Sequence, residues 1–154
     1  MGSITPCLWF DGQAEEAAAL YTSVVRNSRI VSVSRVGSSE SDPALTVSFE
    51  LDGQAFVALN GGPQFSFTEA VSFQIACADQ EEVDRHWDAL TDGGEESRCG
   101  WLKDRYGLSW QIIPTVLQSL IGGPDADGAQ RAVAAMLSMG KLDIAALESA
   151  YRGN

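Results

Sequence analysis

Residues 14–21, AEEAAALY, and residues 80–87, QEEVDRHW, align without a gap at an offset of 66 residues. Each carries a glutamate pair near its start and closes on an aromatic residue. The first extends into QAEEAAALYTSVV, free of Gly and Pro, with Ala14, Ala17, Ala18, Tyr21 and Val25 at helical spacing. The second extends into QEEVDRHWDALTDGG, where Asp79 can cap the helix, Glu82 can reciprocate, and Gly93-Gly94 stop it. Glu15, Glu16, Glu81 and Glu82 sit in first helical turns, where they complement the helix dipole.

Working outward, both helices follow a short apolar strand. PCLWFDG precedes the first, and AVSFQIACAD precedes the second, with Phe73, Ile75 and Cys77 alternating against Ser72, Gln74 and Ala76. Three strands follow each helix. In the first half these are SRIVSVSRV and then ALTVSFELDGQAFVALNGGP, a hairpin folded at Asp52-Gly53. In the second half, residues 96–113 supply three shorter strands broken by a turn at Asp104 to Gly107. The order strand, helix, three strands therefore occurs twice. It predicts an α+β fold of two βαβββ modules with curved mixed sheets, each helix covering one face and the other faces forming a cup. The modules span residues 1–66 and 67–114, and a helical C-terminal extension spans 115–154 within one integrated domain. In that tail, Ala129, Ala132, Val133, Met136 and Leu137 form one stripe, and a last helix begins at Asp143 with Ile144, Leu147 and Tyr151 on one side.

A net charge of −11 and scattered basic residues argue against nucleic acid as a partner. No apolar run is long enough to span a bilayer, and no export signal opens the chain. Cys7, Cys77 and Cys99 are odd in number and lack CxxC spacing, which suits a reducing cytoplasm better than a disulfide framework or zinc knuckle.

The stretches LWFDGQAEEAAALY, LNGGP, VSFQIACADQEEVD and CGWLKDRYGLSWQIIP resemble the vicinal-oxygen-chelate (glyoxalase and bleomycin-resistance) superfamily. More narrowly they are similar to its PhnB-like branch, often labelled 3-demethylubiquinone-9 3-methyltransferase. The resemblance covers about residues 4–114 and implies paired modules around a cup, usually in a homodimer. Metal-dependent relatives hold one divalent ion between four side chains. Carried over by constant offset, those positions fall on Pro6, Ala58, Ser72 and Gln111, with Cys7 the one neighbouring residue able to ligate. A proline, a methyl, a hydroxyl and an amide are a poor donor set for a divalent first-row ion. No metal and no cofactor is expected, and glyoxalase or dioxygenase chemistry is disfavoured. The methyltransferase label is disfavoured too, because the Gly-Gly pairs at 61–62, 93–94 and 122–123 lack the G-x-G-x-x-G setting of a nucleotide-cofactor turn.

The expected activity is binding of a small, largely uncharged molecule in a cup lined by Leu8, Phe10, Asn60, Ser72, Gln74, Trp101, Ser109 and Gln111, with Trp110 turned to the core. The alternative is an enzyme using Cys99 as a thiolate beside Lys103 or Arg105, or the amides of Gln74 and Gln111. A third reading is a structural dimer with a vestigial cup. His86, the single histidine, reads as a surface or boundary residue of its helix, and Asp104 as part of a charged turn.

Overall fold

A computed structural model describes residues 3–154. The chain divides into two compact units, one reaching to Phe67 and the other running Thr68–Asn154.

In the first unit, β1 (Cys7–Phe10) leads into α1 (Ala14–Val24), followed by β2 (Arg29–Arg35), β3 (Ala44–Leu51) and β4 (Gln54–Asn60). The sheet order is β1-β4-β3-β2, with β1 parallel to β4 and the other pairs antiparallel. The hairpin between β3 and β4 turns at Asp52 and Gly53, at φ 47° and 81°, the paired left-handed geometry that an Asp-Gly sequence favours. Val47, Phe49, Phe56 and Ala58 occupy one sheet face and are buried with Ala14, Ala17, Ala18 and Tyr21 of α1.

The second unit repeats this topology. It comprises β5 (Ser72–Cys77), α2 (Gln80–Thr91), β6 (Glu95–Glu96), β7 (Trp101–Lys103) and β8 (Ser109–Pro114), in the order β5-β8-β7-β6 with β5 parallel to β8. Val83, His86, Trp87 and Leu90 recur every three or four residues along α2 and are all buried. His86 is 4% exposed, so it belongs to the core and not to the surface. Asp79 caps α2 by accepting from Glu82 N at 2.9 Å, while the Glu82 carboxylate reaches back one residue further than a strict capping box, to Ala78 N at 2.8 Å.

Three helices complete this unit: α3 (Val116–Ile121), α4 (Ala126–Leu137) and α5 (Ile144–Arg152). α3 lies within the expected helical extension of residues 115–154, ahead of the two helices whose stripes the sequence marks. Leu117, Leu120, Ala132, Leu142 and Leu147 form a separate core. The inward stripe of α4 is rotated from the expected one: Gly128 and Ala132 are buried, whereas Leu137 is 56% exposed. The tail is held to its own module. The Gln80 amide donates to Leu142 O at 3.0 Å and accepts from Ile144 N at 2.8 Å, and Cys99 N and Gly100 N donate to Met139 O and Gly140 O.

Two mixed four-stranded sheets, each backed by a helix, with helices added at the C-terminus, make an α+β fold as expected.

Candidate functional site

Strand alternation sorts the second sheet into two faces. Phe73, Ile75 and Cys77 of β5, Leu102 of β7, and Trp110 and Ile112 of β8 turn toward α2. Ser72, Gln74, Trp101, Lys103, Ser109 and Gln111 occupy the opposite, open face, as the pairings Ser72↔Ser109, Gln74↔Gln111, Trp101↔Gln111 and Lys103↔Ser109 require. Three of these side chains are linked: Gln74 Nε2 donates to Gln111 Oε1 at 3.2 Å, and Gln111 Nε2 donates to Ser72 Oγ at 2.8 Å. Gln74 is exposed and Gln111 half-buried. Trp101 is half-buried on the same face, and Lys103 pairs with Glu69 in front of Ser109. That pairing holds the Glu69 carboxyl below its ordinary range and raises the Lys103 ammonium, in both cases chiefly through their shared hydrogen bond.

The first sheet corrects the other half of the expected lining. Leu8 pairs with Ala58, which pairs with Val47, and all three lie on the face covered by α1. Leu8 and Phe10 are core residues at 6% and 2% exposure. Asn60 is a structural amide: its Oδ1 accepts from Ala14 N at 2.9 Å, capping α1, and its Nδ2 donates to Ala44 O at 2.9 Å. The cause is connector length. Three residues separate β1 from α1, against two between β5 and α2. An offset carried across from the helices is therefore one residue out in the strands, and one residue inverts a strand's faces. The open-face residues of this sheet are Cys7 and Trp9 on β1 with Val57 and Leu59 on β4. Trp9 donates its Nε1–H to Gly62 O at 2.9 Å and meets Phe65 edge-on at 4.9 Å. Its ring lies so close over Gly61 that a Cβ there would fall 2.4 Å from it, which accounts for the glycine.

At the positions to which the resemblance carries the superfamily's metal ligands, the side chains are those of Pro6, Ala58, Ser72 and Gln111. Ala58 is inside the helix-side core, and the register-corrected neighbours Val57 and Leu59 add no donor. Cys7, Ser72 and Gln111 supply one thiol, one hydroxyl and one amide. Among the described residues, no group of three or more His, Cys, Asp or Glu side chains is arranged to hold a metal.

Cys99 lies in the loop between β6 and β7, not in a strand, and adopts a left-handed φ of 59° immediately before Gly100 at 84°. Those two angles let consecutive N–H groups reach Met139 and Gly140. The histidine that a thiol nucleophile would need is elsewhere: His86 Nδ1 lies 2.7 Å from Glu82 O and 3.8 Å from the buried Cys77 Sγ. A ring nitrogen that donates to a carbonyl has no lone pair left for a thiol proton. Burial pushes the Cys77 thiol up to about 11, with the Glu82 charge acting in the same direction. Cys77 is therefore not set up as an activated thiolate. Asp104, at 2% exposure, accepts from Tyr106 N, Leu108 N and Trp110 Nε1 at 2.9, 3.1 and 2.9 Å, so it organises the β7–β8 turn.

Among known proteins, the 3-demethylubiquinone-9 3-methyltransferase family model matches residues 2–113. The solved PhnB protein of Bacillus cereus is 34% identical, over 74% of this chain and 100% of that one, with a TM-score of 0.68. A Pseudomonas aeruginosa protein shares the fold at 20% identity and TM-score 0.63, covering 74% of this chain and 98% of its own. The fosfomycin resistance protein FosX of Listeria monocytogenes, solved with Mn(II) and sulfate, shares it at 15% identity and TM-score 0.52, over 76% and 92% of the two chains. No curated protein matches. A match over most of the sequence and a close solved relative covered end to end leave one assignment: the chain belongs to the 3-demethylubiquinone-9 3-methyltransferase-like, PhnB-like branch of the vicinal-oxygen-chelate superfamily.

Proposed function

We propose that this chain is a metal-free, cofactor-free binder of a small, largely uncharged organic molecule, with the open face of the second sheet as the floor of its cup and Gln111 at the centre. The observation that carries the reading is the chain of neutral hydrogen bonds Gln74–Gln111–Ser72, at 3.2 and 2.8 Å. Each amide has two N–H donors and two carbonyl lone pairs, so this chain leaves capacity for a ligand's own polar groups. None of the three titrates near neutrality, which suits recognition better than acid–base chemistry. Methyl transfer is not part of the reading, because both sheets are mixed and neither first turn is glycine-rich in the manner of a nucleotide site. A homodimer is supported by exposed apolar side chains at Ile30, Val31 and Leu45 of β2 and β3, and a reducing cytoplasm by three free cysteines.

A thermal-shift screen of neutral metabolites against the whole protein tests this. A true ligand at 100 times its dissociation constant stabilises by about 2.7 kcal/mol, and Gln111→Ala abolishes that gain. A well-folded sample with no hit, or a hit indifferent to Gln111→Ala, overturns the site. Calorimetric titration with Mn(II), Zn(II) and Ni(II) is expected to give no stoichiometric binding; one tight equivalent of any of them overturns the metal-free reading.

A further inference from the structure

On the open face of the second sheet, beside β7, lies a recess of about 330 Å3 lined by Glu69, Glu95, Glu96, Trp101, Lys103 and Ser109, among others. Its charge is lopsided, with three carboxylates against one ammonium. Glu96 accepts from Trp87 Nε1 at 2.7 Å and is held by the α2 side. Glu69 pairs with Lys103. Glu95, exposed and opposite Lys103 in the β6–β7 register, lies close enough for its charge to act on the Lys103 ammonium, but its side chain makes no hydrogen bond or ion pair among the described residues. The floor supplies an independent observation. Ser109 is 1% exposed, and its hydroxyl has no hydrogen-bond partner among the described residues. A buried hydroxyl in that condition carries a desolvation cost that nothing repays, so a group that satisfies it is rewarded.

We propose that this recess binds the primary ammonium group of a small alkylamine, with Ser109 Oγ and the Glu95 carboxylate accepting its N–H bonds and the Trp101 indole packing its stem. A metal ion is the poorer occupant, since the carboxylates do not converge as a ligand group. Three N–H donors on a compact cation suit a hydroxyl and a carboxylate, and an aromatic wall favours an organic cation over a hydrated inorganic one. Lys103 already sets an ammonium of this kind against Glu69. Its side chain and that of Glu69 are 37% and 58% exposed, so their ion pair is weak and exchanges readily for an external ammonium. The inference rests on the preceding reading only in needing the open face accessible; it does not need Gln111.

The test is an NMR titration of the full chain with n-butylammonium chloride, with 1-butanol and sodium chloride as controls. The expected result is saturable perturbation centred on Ser109 and Trp101 with butylammonium alone. Glu95→Gln or Ser109→Ala should weaken it about tenfold, the effect of losing one hydrogen bond to a charged group. Lys103→Met, which removes the internal competitor, should tighten it. Gln111→Ala should leave it within about twofold, which separates failure here from failure of the neutral-ligand site. Equal perturbation by butanol, no saturation into the high-millimolar range, indifference to Glu95→Gln, or weakening by Lys103→Met overturns the proposal.

Discussion

Cys77 and Asp104 show how far a residue's surroundings can depart from its type. Asp104 stands between Lys103 and Arg105 and reads as a solvated turn, yet it is buried under three donors. The sequence carries a partial signal, since an Asp two residues before a turn amide commonly bonds back to it. The third donor, Trp110 Nε1, comes from the next strand and has no local signature. Cys77 is the complementary case: alternation placed it on the drier face of β5, and it is fully buried there. Its raised thiol gives a prediction with a definite sign. Between the ordinary value of 9.0 and about 11, the unfolded chain loses the Cys77 proton while the folded chain keeps it. The folded state binds more protons in that window, so stability falls as pH rises through it and is unaffected by this group below it. Urea denaturation at pH 8, 9.5 and 11 should show that decline, with a shallower slope in Cys77→Ala. Alkylation at pH 8 followed by mass spectrometry should modify the exposed Cys7 and the half-buried Cys99 before Cys77.

At the scale of elements, the helices and hairpins were legible because their signals are local. The 14–24 and 80–91 helices, the Asp79 and Asp143 caps and the Asp52-Gly53 turn all depend on neighbours within a few positions. Which face each strand shows was legible in the second module, where alternation in SFQIAC is clear, and misread in the first. CLWF has no polar residue to mark the open side, and the extra residue before α1 shifted the count. The same limit hid Asn60. α1 lacks a side-chain cap at Gln13, and the group that serves Ala14 N comes from 46 residues away at the end of β4. Replacing a capping Asn by Ala typically costs about 1 kcal/mol, and here the Ala44 carbonyl also loses its donor. Asn60→Ala should therefore lower the unfolding free energy read from urea denaturation by roughly 1–2 kcal/mol without abolishing ligand binding on the second sheet. Loss of that binding with the stability intact would return Asn60 to the site.

Across the whole molecule, the open question is what the C-terminal helices do for the module they follow. The apolar stripes that the sequence shows in this tail do not by themselves name the surface they pack against. One glutamine makes several of their contacts with their own unit: Gln80 on α2 bonds both sides of Leu142-Asp143-Ile144 and also donates to Asp84, which pairs with Lys141 at 2.8 Å. The Lys141 hydrogen bond first, then that of Gln80, hold the Asp84 carboxyl below its ordinary value of 3.8. A depressed carboxyl contributes stability that is in place above the ordinary value and is lost as pH falls through its folded one. The pair is well exposed, so its share is small beside the apolar core under it. That core turns on Leu147, fully buried against Leu117, Leu120, Ala132 and Leu142. Truncating such a leucine costs about 2–5 kcal/mol, depending on how far the cavity collapses. If the tail and module form one cooperative body, Leu147→Ala will speed amide hydrogen exchange in α2 and at Cys99 and Gly100, whose N–H groups bond the α4–α5 connection, as well as in α4 and α5. Acceleration confined to α4 and α5 would mean that the helices fray alone, and that the Gln80 contacts are too weak to couple them to the sheet carrying Gln111.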